Sequence, residues 1–67
     1  MMKLGEIRDT GDRRFPKAWL TKDPKRGYVV MLLSWDPEAD RGNGWFYAYN
    51  GDLKGARKYA RGWTEGK

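Results

Sequence analysis

The sequence contains no cysteine and no histidine among its 67 residues. Without cysteine there is no disulfide and no thiolate metal site, and without histidine the commonest metal ligand is missing as well. The same absences exclude a Ser-His-Asp triad, a Cys-His pair and an imidazole general base. A paired-carboxylate mechanism needs a cleft that is hard to build from so short a chain. The sequence therefore predicts a protein that is not an enzyme and uses no metal or cofactor.

Long apolar runs are absent as well. The longest, residues 28–33, has the length of a strand and falls far short of the ~18 residues that a membrane span requires. The N-terminus lacks the apolar region of a signal peptide. We therefore expect a cytoplasmic protein that does not contact membranes.

The sequence is rich in positive charge and in aromatic side chains. Lysine and arginine number 14 against 9 aspartate and glutamate, a formal charge of +5, and aromatic residues make up 15% of the chain. The length allows one domain, residues 1–67. Since neither a disulfide nor a thiolate metal site can stabilise so small a domain, its core must come from aromatic packing, with or without help from a partner chain.

Three segments have the pattern of β-strands. The clearest, residues 28–35, is apolar on both faces, which is typical of a central strand. Residues 15–21 precede it through a turn with proline and glycine, and residues 45–49 follow it after a nine-residue loop at 36–44. Residues 1–14 are polar and interrupted by glycine, so they predict an extended or loosely ordered arm, or a short edge strand.

A helix is predicted after the third strand. Asp52 or Asn50 suits its N-cap, and it should run from Leu53 to Arg61 with Gly62 at the C′ position. Its apolar and cationic side chains occupy two arcs that do not overlap. The apolar arc contains Leu53, Ala56, Tyr59, Ala60 and Trp63, and the cationic arc contains Lys54, Arg57, Lys58 and Arg61. The predicted fold class is α+β: a small three-stranded antiparallel β-sheet with one C-terminal α-helix packed on one face, in the order β-β-β-α.

Three strands followed by a helix that opens Asp52-Leu53-x-x-Ala56-x-x-x-Ala60 resemble the arm-type DNA-binding domain of tyrosine recombinases. The resemblance covers residues 15–63 and implies a sheet that lies against the major groove of DNA. The chain departs from that pattern in its acidic 36–40 loop and in a third strand that lacks the basic and polar groups needed to read a groove. In size and charge it is also similar to small phage-encoded accessory proteins, including inhibitors of host defence or transcription.

The positive charge is segregated along the chain. Residues 1–27 have eight cations and four anions, residues 28–52 have one and four, and residues 53–67 have five and one. In the helix, Lys54/Lys58 and Arg57/Arg61 are like-charge pairs that each cost ~0.2–0.5 kcal/mol, because no acid in the helix offsets them. This pattern predicts a binding surface for an anionic partner; a merely solvated basic face is the alternative.

Two further groups of residues are candidates for binding. Cations on either side of the first strand would reach phosphates if they lie on the same side as the helix, giving a footprint of eight or more charges. Aromatic residues of one parity in the third strand could stack on bases if nothing covers them, but the favoured interpretation is that they form the core or the self-complementary interface of a homodimer. The cations include Arg13, Arg14, Lys25 and Arg26, and the aromatic residues are Trp45, Tyr47 and Tyr49.

The leading hypothesis is a small non-enzymatic basic domain that contacts nucleic acid or a nucleoprotein complex through the cationic helix face. The alternative is a phage-type accessory or inhibitor protein that binds an acidic surface of a host enzyme. The same cations would meet phosphates in the first case and carboxylates in the second.

Overall fold

The computed structural model describes residues 2–65. Within this range, four antiparallel strands form a sheet in the order β1-β2-β3-β4, and one helix packs on one face of it. The elements are β1 (Ile7–Asp9), β2 (Lys17–Asp23), β3 (Gly27–Asp36), β4 (Arg41–Gly51) and α1 (Leu53–Thr64). The α+β class, the antiparallel sheet and the C-terminal helix are confirmed, but the prediction of three strands is wrong, since the sheet has four.

The additional strand comes from residues 1–14, for which the sequence predicts an arm or a short edge strand, and β1 is a short edge strand. β1 pairs with β2, and beyond it the N–H of Gly5 donates to the carbonyl of Leu20 at 2.6 Å. Met2 is 3% exposed and belongs to the core that α1 forms with the sheet. Hydropathy did not reveal this strand because its backbone makes the pairing, while the side chain of Ile7 stays 48% exposed.

The connection between β1 and β2 is fixed by two polar side chains. Thr10 is buried; its hydroxyl donates to the carbonyl of Phe15 at 2.5 Å and accepts from the N–H of Asp12 at 3.0 Å. Asp12 Oδ1 accepts from the N–H groups of Arg14 and Phe15 at 2.8 and 3.1 Å. These hydrogen bonds fold residues 10–16 into a defined turn, as short polar side chains commonly do.

The core lies between α1 and one face of the sheet. Ala56 and Ala60 are fully buried, so the helix can lie close to Leu20 and Val30. Asp52 is the N-cap, and its Oδ1 accepts from the N–H of Gly55 at 2.7 Å.

Several predicted boundaries differ from the structure: the first predicted strand, 15–21, is β2 at Lys17–Asp23, and the third, 45–49, lies within β4 at Arg41–Gly51. The helix continues three residues beyond Arg61 to Thr64, with its C-cap at Glu65. The hairpin between β3 and β4 is also longer than predicted, because β4 begins at Arg41 and leaves only residues 37–40 as a loop. Gly42 belongs to the predicted loop, but in the structure it lies in β4. A Cβ at this position would be 3.3 Å from the ring of Trp35. No helix within the described range combines the length and hydrophobicity of a membrane crossing.

Candidate anion-binding surface

The outer side of α1 carries the predicted cationic arc, which we call the helix stripe: Lys54, Arg57, Lys58 and Arg61. Because Ala56 and Ala60 face the sheet, this arc turns away from the core, and Lys54, Lys58 and Arg61 are exposed. The helix contains no acidic residue from its first turn to Thr64. The helix stripe is therefore a continuous line of positive charge.

Arg57 lies at the boundary between the helix stripe and the core. It is half-buried, and its buried Nε has no hydrogen-bond partner among the described residues. A buried donor without an acceptor costs ~1–3 kcal/mol. No ion pair within residues 2–65 neutralises this guanidinium, so its charge adds to that of its exposed neighbours.

One carboxylate lies at the C-terminal end of the helix stripe. Glu65 is 4.0 Å from Arg61 Nε and 3.9 Å from Arg8 Nη1. The Arg61 side chain is 76% exposed, and exposed pairs of this kind contribute only ~0.2–1 kcal/mol. Arg61 therefore remains accessible to an anionic ligand.

The structure separates the second group of cations into two sites. The carbonyl of Arg14 accepts from the N–H of Trp35 at 2.8 Å, near the end of β3, whereas Arg26 precedes Gly27 at its start. Trp35 and Gly27 are eight residues apart in one strand, about 26 Å. Arg13 and Arg14 thus lie at the end of the sheet opposite to Lys25 and Arg26.

Arg13 and Arg14 lie beside the hairpin tip, which we define as residues 36–41. One groove there is lined by both arginines together with Asp36 and Glu38, and a neighbouring groove is lined by Arg13 and Asp40. Opposite charges that line the same groove partly cancel each other's field at an approaching ligand. This region offers an approaching polyanion much less positive potential than the helix stripe does.

Arg26 is held over the open face of the sheet, the face opposite α1. Its guanidinium lies 4.2 Å from the centre of the Tyr47 ring, and its Nη1 is 3.8 Å from Asp23 Oδ2. The Tyr47 hydroxyl donates to the same Oδ2 at 3.0 Å. The N–H of Lys25, this hydroxyl and the N–H of Arg26 all donate to the carboxylate and hold the pKa of Asp23 below its usual value.

These positions put Arg26 on the opposite side of the sheet from the helix stripe. Arg13 also reaches the open face, because its groove includes Leu33 and Trp35 of that face. A single footprint that joins the helix stripe to all four of these cations is therefore not formed. The cationic surface that the fold does assemble has four members.

The predicted aromatic row is divided by a β-bulge. Val30 pairs with Tyr49 and Met31 with Tyr47, which leaves Ala48 as an extra residue. Tyr49 consequently faces α1 and stacks on Tyr59, with ring centroids 5.4 Å apart. Trp45 and Tyr47 remain on the open face, 36% and 46% exposed. Tyr49 is therefore half-buried and packs against the core, as the interpretation of these residues as core packing expects.

The open face is poorly suited to base stacking. The Tyr47 hydroxyl binds Asp23 on β2, so the Tyr47 ring must lie across β3 beside Val29, which is 1% exposed. Arg26 covers the same ring. Trp45 packs edge-to-face with Trp19 at 5.6 Å. Trp19 was not among the residues predicted from the sequence for binding. The alternation of side chains in β2 places Trp19 on the open face only once the register with β3 is known.

Comparisons of the chain with protein-family models, curated proteins and solved structures found no match. The function must therefore be inferred from the residues of this chain and their geometry.

Proposed function

We propose that this protein is a small non-enzymatic binding domain that contacts nucleic acid through the phosphate backbone, with the helix stripe as its contact surface. The observation that supports this proposal is the exposure of Lys54, Lys58 and Arg61 on one side of a helix without acidic residues. The like-charge pairs within α1 are unfavourable in the free protein. A phosphate backbone along the stripe relieves that repulsion.

The chemistry of the helix stripe favours binding without sequence readout. Lysine and arginine at phosphates release condensed counterions, so affinity falls with salt by about 0.9 log units per contact and per log unit of salt. Four contacts correspond to a slope of about −3.6. Phosphate contacts position a protein on a duplex but carry no direct sequence information.

The proposal is tested by fluorescence anisotropy with labelled duplex DNA, single-stranded DNA and RNA between about 50 and 200 mM salt. The triple variant Lys54→Ala, Lys58→Ala, Arg61→Ala should bind more weakly and reduce the slope to about −0.9, since one contact remains. A matched variant removes three exposed cations outside α1: Lys3→Ala, Arg14→Ala and Lys25→Ala. It should keep most of the affinity and slope.

Two results would contradict the proposal. Equal losses in both triple variants would mean that binding depends on net charge and not on the helix stripe. If no DNA or RNA binds at low salt, and a nuclease-treated lysate yields one protein on the immobilised chain, the partner is an acidic protein surface. The helix stripe would then pair with carboxylates, as the alternative hypothesis from the sequence expects.

A further inference from the structure

β4 is an edge strand of eleven residues, and no other strand within residues 2–65 pairs with its outer edge. The opposite edge strand, β1, has three. An open edge exposes N–H and C=O groups that can pair with another strand, and proteins commonly protect it with charged residues or proline. Residues 42–51 contain neither, although 34% of the whole chain is charged.

The middle of this edge is apolar on both faces of the sheet. Trp45, Phe46 and Tyr47 are 36%, 40% and 46% exposed. The register shifts at Asn43 and Ala48 lie on either side of them, so residues 44–47 form a regular stretch between two bulges. Bulges protect the two ends of the edge and leave its aromatic centre available for pairing.

We propose that β4 pairs antiparallel with β4 of a second copy of this chain, about a two-fold axis through Phe46 and perpendicular to the sheet. In this register Phe46 lies opposite its own equivalent, and Trp45 lies opposite Tyr47 of the second copy. The pairing joins two four-stranded sheets into one of eight strands. Cross-strand aromatic pairs are among the most stabilising neighbours in an antiparallel sheet.

Charge complementarity favours a second copy of this chain as the partner of the β4 edge. Each copy has a formal charge of +5, so two copies can approach closely only through a surface without cations, which residues 42–51 provide. The two-fold axis also places the hairpin tip of one copy beside the start of α1 in the other. The hairpin tip has three anions and one cation, while residues 22–27 and 51–54 together have four cations and two anions.

The same edge is a poor surface for nucleic acid. An uncharged strand releases no counterions, and the acidic hairpin tip repels phosphate. The two-fold axis places both copies of α1 on the same side of the eight-stranded sheet. Self-association can be measured without any nucleic acid, so its test is separate from that of the proposed function.

Sedimentation equilibrium from low micromolar to about 1 mM protein tests the proposal. The unmodified chain should reach twice the monomer mass. The variant Asn43→Lys, Asn50→Lys places two cations on the exposed edge without removing an aromatic residue, and it should weaken association at least tenfold. The matched variant Leu4→Lys, Ile7→Lys adds the same charge at the β1 end, where both residues are 48% exposed, and should associate normally.

Distances between two spin labels provide a second readout that does not depend on the lysine variants. The chain has no cysteine, so Asn43→Cys and Asn50→Cys each give one labelling site per copy. In the proposed register the two Asn43 positions are six residues apart along the paired strands, about 20 Å, and the two Asn50 positions eight, about 27 Å. Label distances that fit this register support the pairing.

Three results would overturn the proposal. The first is a monomer at every concentration. This result is also expected if the β4 edge pairs with a peptide of another protein and not with a second copy. The second is a dimer that persists in the edge-lysine variant, or that is lost equally in its matched control. The third is a pair of label distances outside the proposed register, which would locate the contact elsewhere, for example on the open face.

Discussion

The hydroxyl oxygen of Tyr49 lies against the backbone of Gly55, where a Cβ would overlap it and would also lie 3.0 Å from the ring carbon Cζ. The cause is the bulge at Ala48, which turns Tyr49 toward α1. The interior of a helix normally disfavours glycine by about 1 kcal/mol relative to alanine. Here the packing of the tyrosine requires it.

The two glycines of α1 should therefore respond to the same substitution with opposite signs. Gly55→Ala should lower the free energy of unfolding by about 1–3 kcal/mol, because the overpacked ring must move. Gly62→Ala should raise it by about 0.5–1 kcal/mol, since a Cβ there meets nothing within 4 Å. Urea denaturation at a concentration where the chain is monomeric checks both values. A stabilising Gly55→Ala would show that Tyr49 does not occupy this position.

Met2 should contribute to stability as a core residue does. It is 3% exposed and packs with Leu20 and Val30, whereas Leu4 is 48% exposed. Met2→Ala should cost about 2–4 kcal/mol of unfolding free energy, and Leu4→Ala should stay within about 0.5 kcal/mol of the parent. Equal, small effects of both substitutions in thermal or urea denaturation would mean that residues 2–5 do not belong to the fold.

The parts of the fold that could be predicted from the sequence depend on local patterns. The continuous apolar run of β3 specifies a buried strand without reference to other elements. In the same way, an N-cap residue, Asp52, followed by side chains with helical spacing specifies α1. For β1 the sequence offers a short edge strand only as an alternative to an arm, because its three residues show no buried apolar pattern and the strand pairs through backbone groups. The bulge at Ala48 depends on the register between β3 and β4, to which hydropathy is insensitive.

The same distinction applies to the candidate site. The helix stripe follows from a period within one helix, so its residues could be grouped correctly from the sequence. Arg13 and Arg26 are close to one strand in sequence, but β3 separates their neighbourhoods by about 26 Å. Their surroundings, the acidic hairpin tip and the Asp23 carboxylate, come from residues distant in the chain. Net charge by segment cannot show which cations are offset by such contacts.

Asp23 should titrate at a lower pH than an ordinary aspartate, and Tyr47 should be part of the reason. The N–H of Lys25 and then the Tyr47 hydroxyl stabilise the carboxylate and lower its pKa. Because the folded pKa lies below the unfolded value, this contribution to stability is complete above about pH 4 and is lost as pH falls through the folded pKa. Tyr47→Phe removes one donor, so the pKa of Asp23 should rise toward its usual value.

An NMR titration of the side-chain carboxyl carbons between about pH 2 and 6 measures this change. Glu6 is an internal control, since the N–H of Lys3 and then the Arg8 side chain lower its pKa far from Tyr47. The pKa of Glu6 should be the same in both proteins. An Asp23 pKa that does not move in Tyr47→Phe would mean that the hydroxyl does not bind the carboxylate in solution.

Two carboxylates, removed one at a time, should separate the effect of position from that of net charge. Glu65→Gln and Glu38→Gln each remove one negative charge, but Glu65 lies 4.0 Å from Arg61 and Glu38 lies in the hairpin tip beside Arg13 and Arg14. Releasing Arg61 from an exposed ion pair worth ~0.2–1 kcal/mol should raise the affinity for duplex DNA about 1.4- to 5-fold at low salt. Glu38→Gln should change it by less than Glu65→Gln does, because no ion pair among residues 2–65 joins Glu38 to the helix stripe. Anisotropy titrations of both variants measure the difference, and a larger gain from Glu38→Gln would place the contact surface at Arg13 and Arg14 instead.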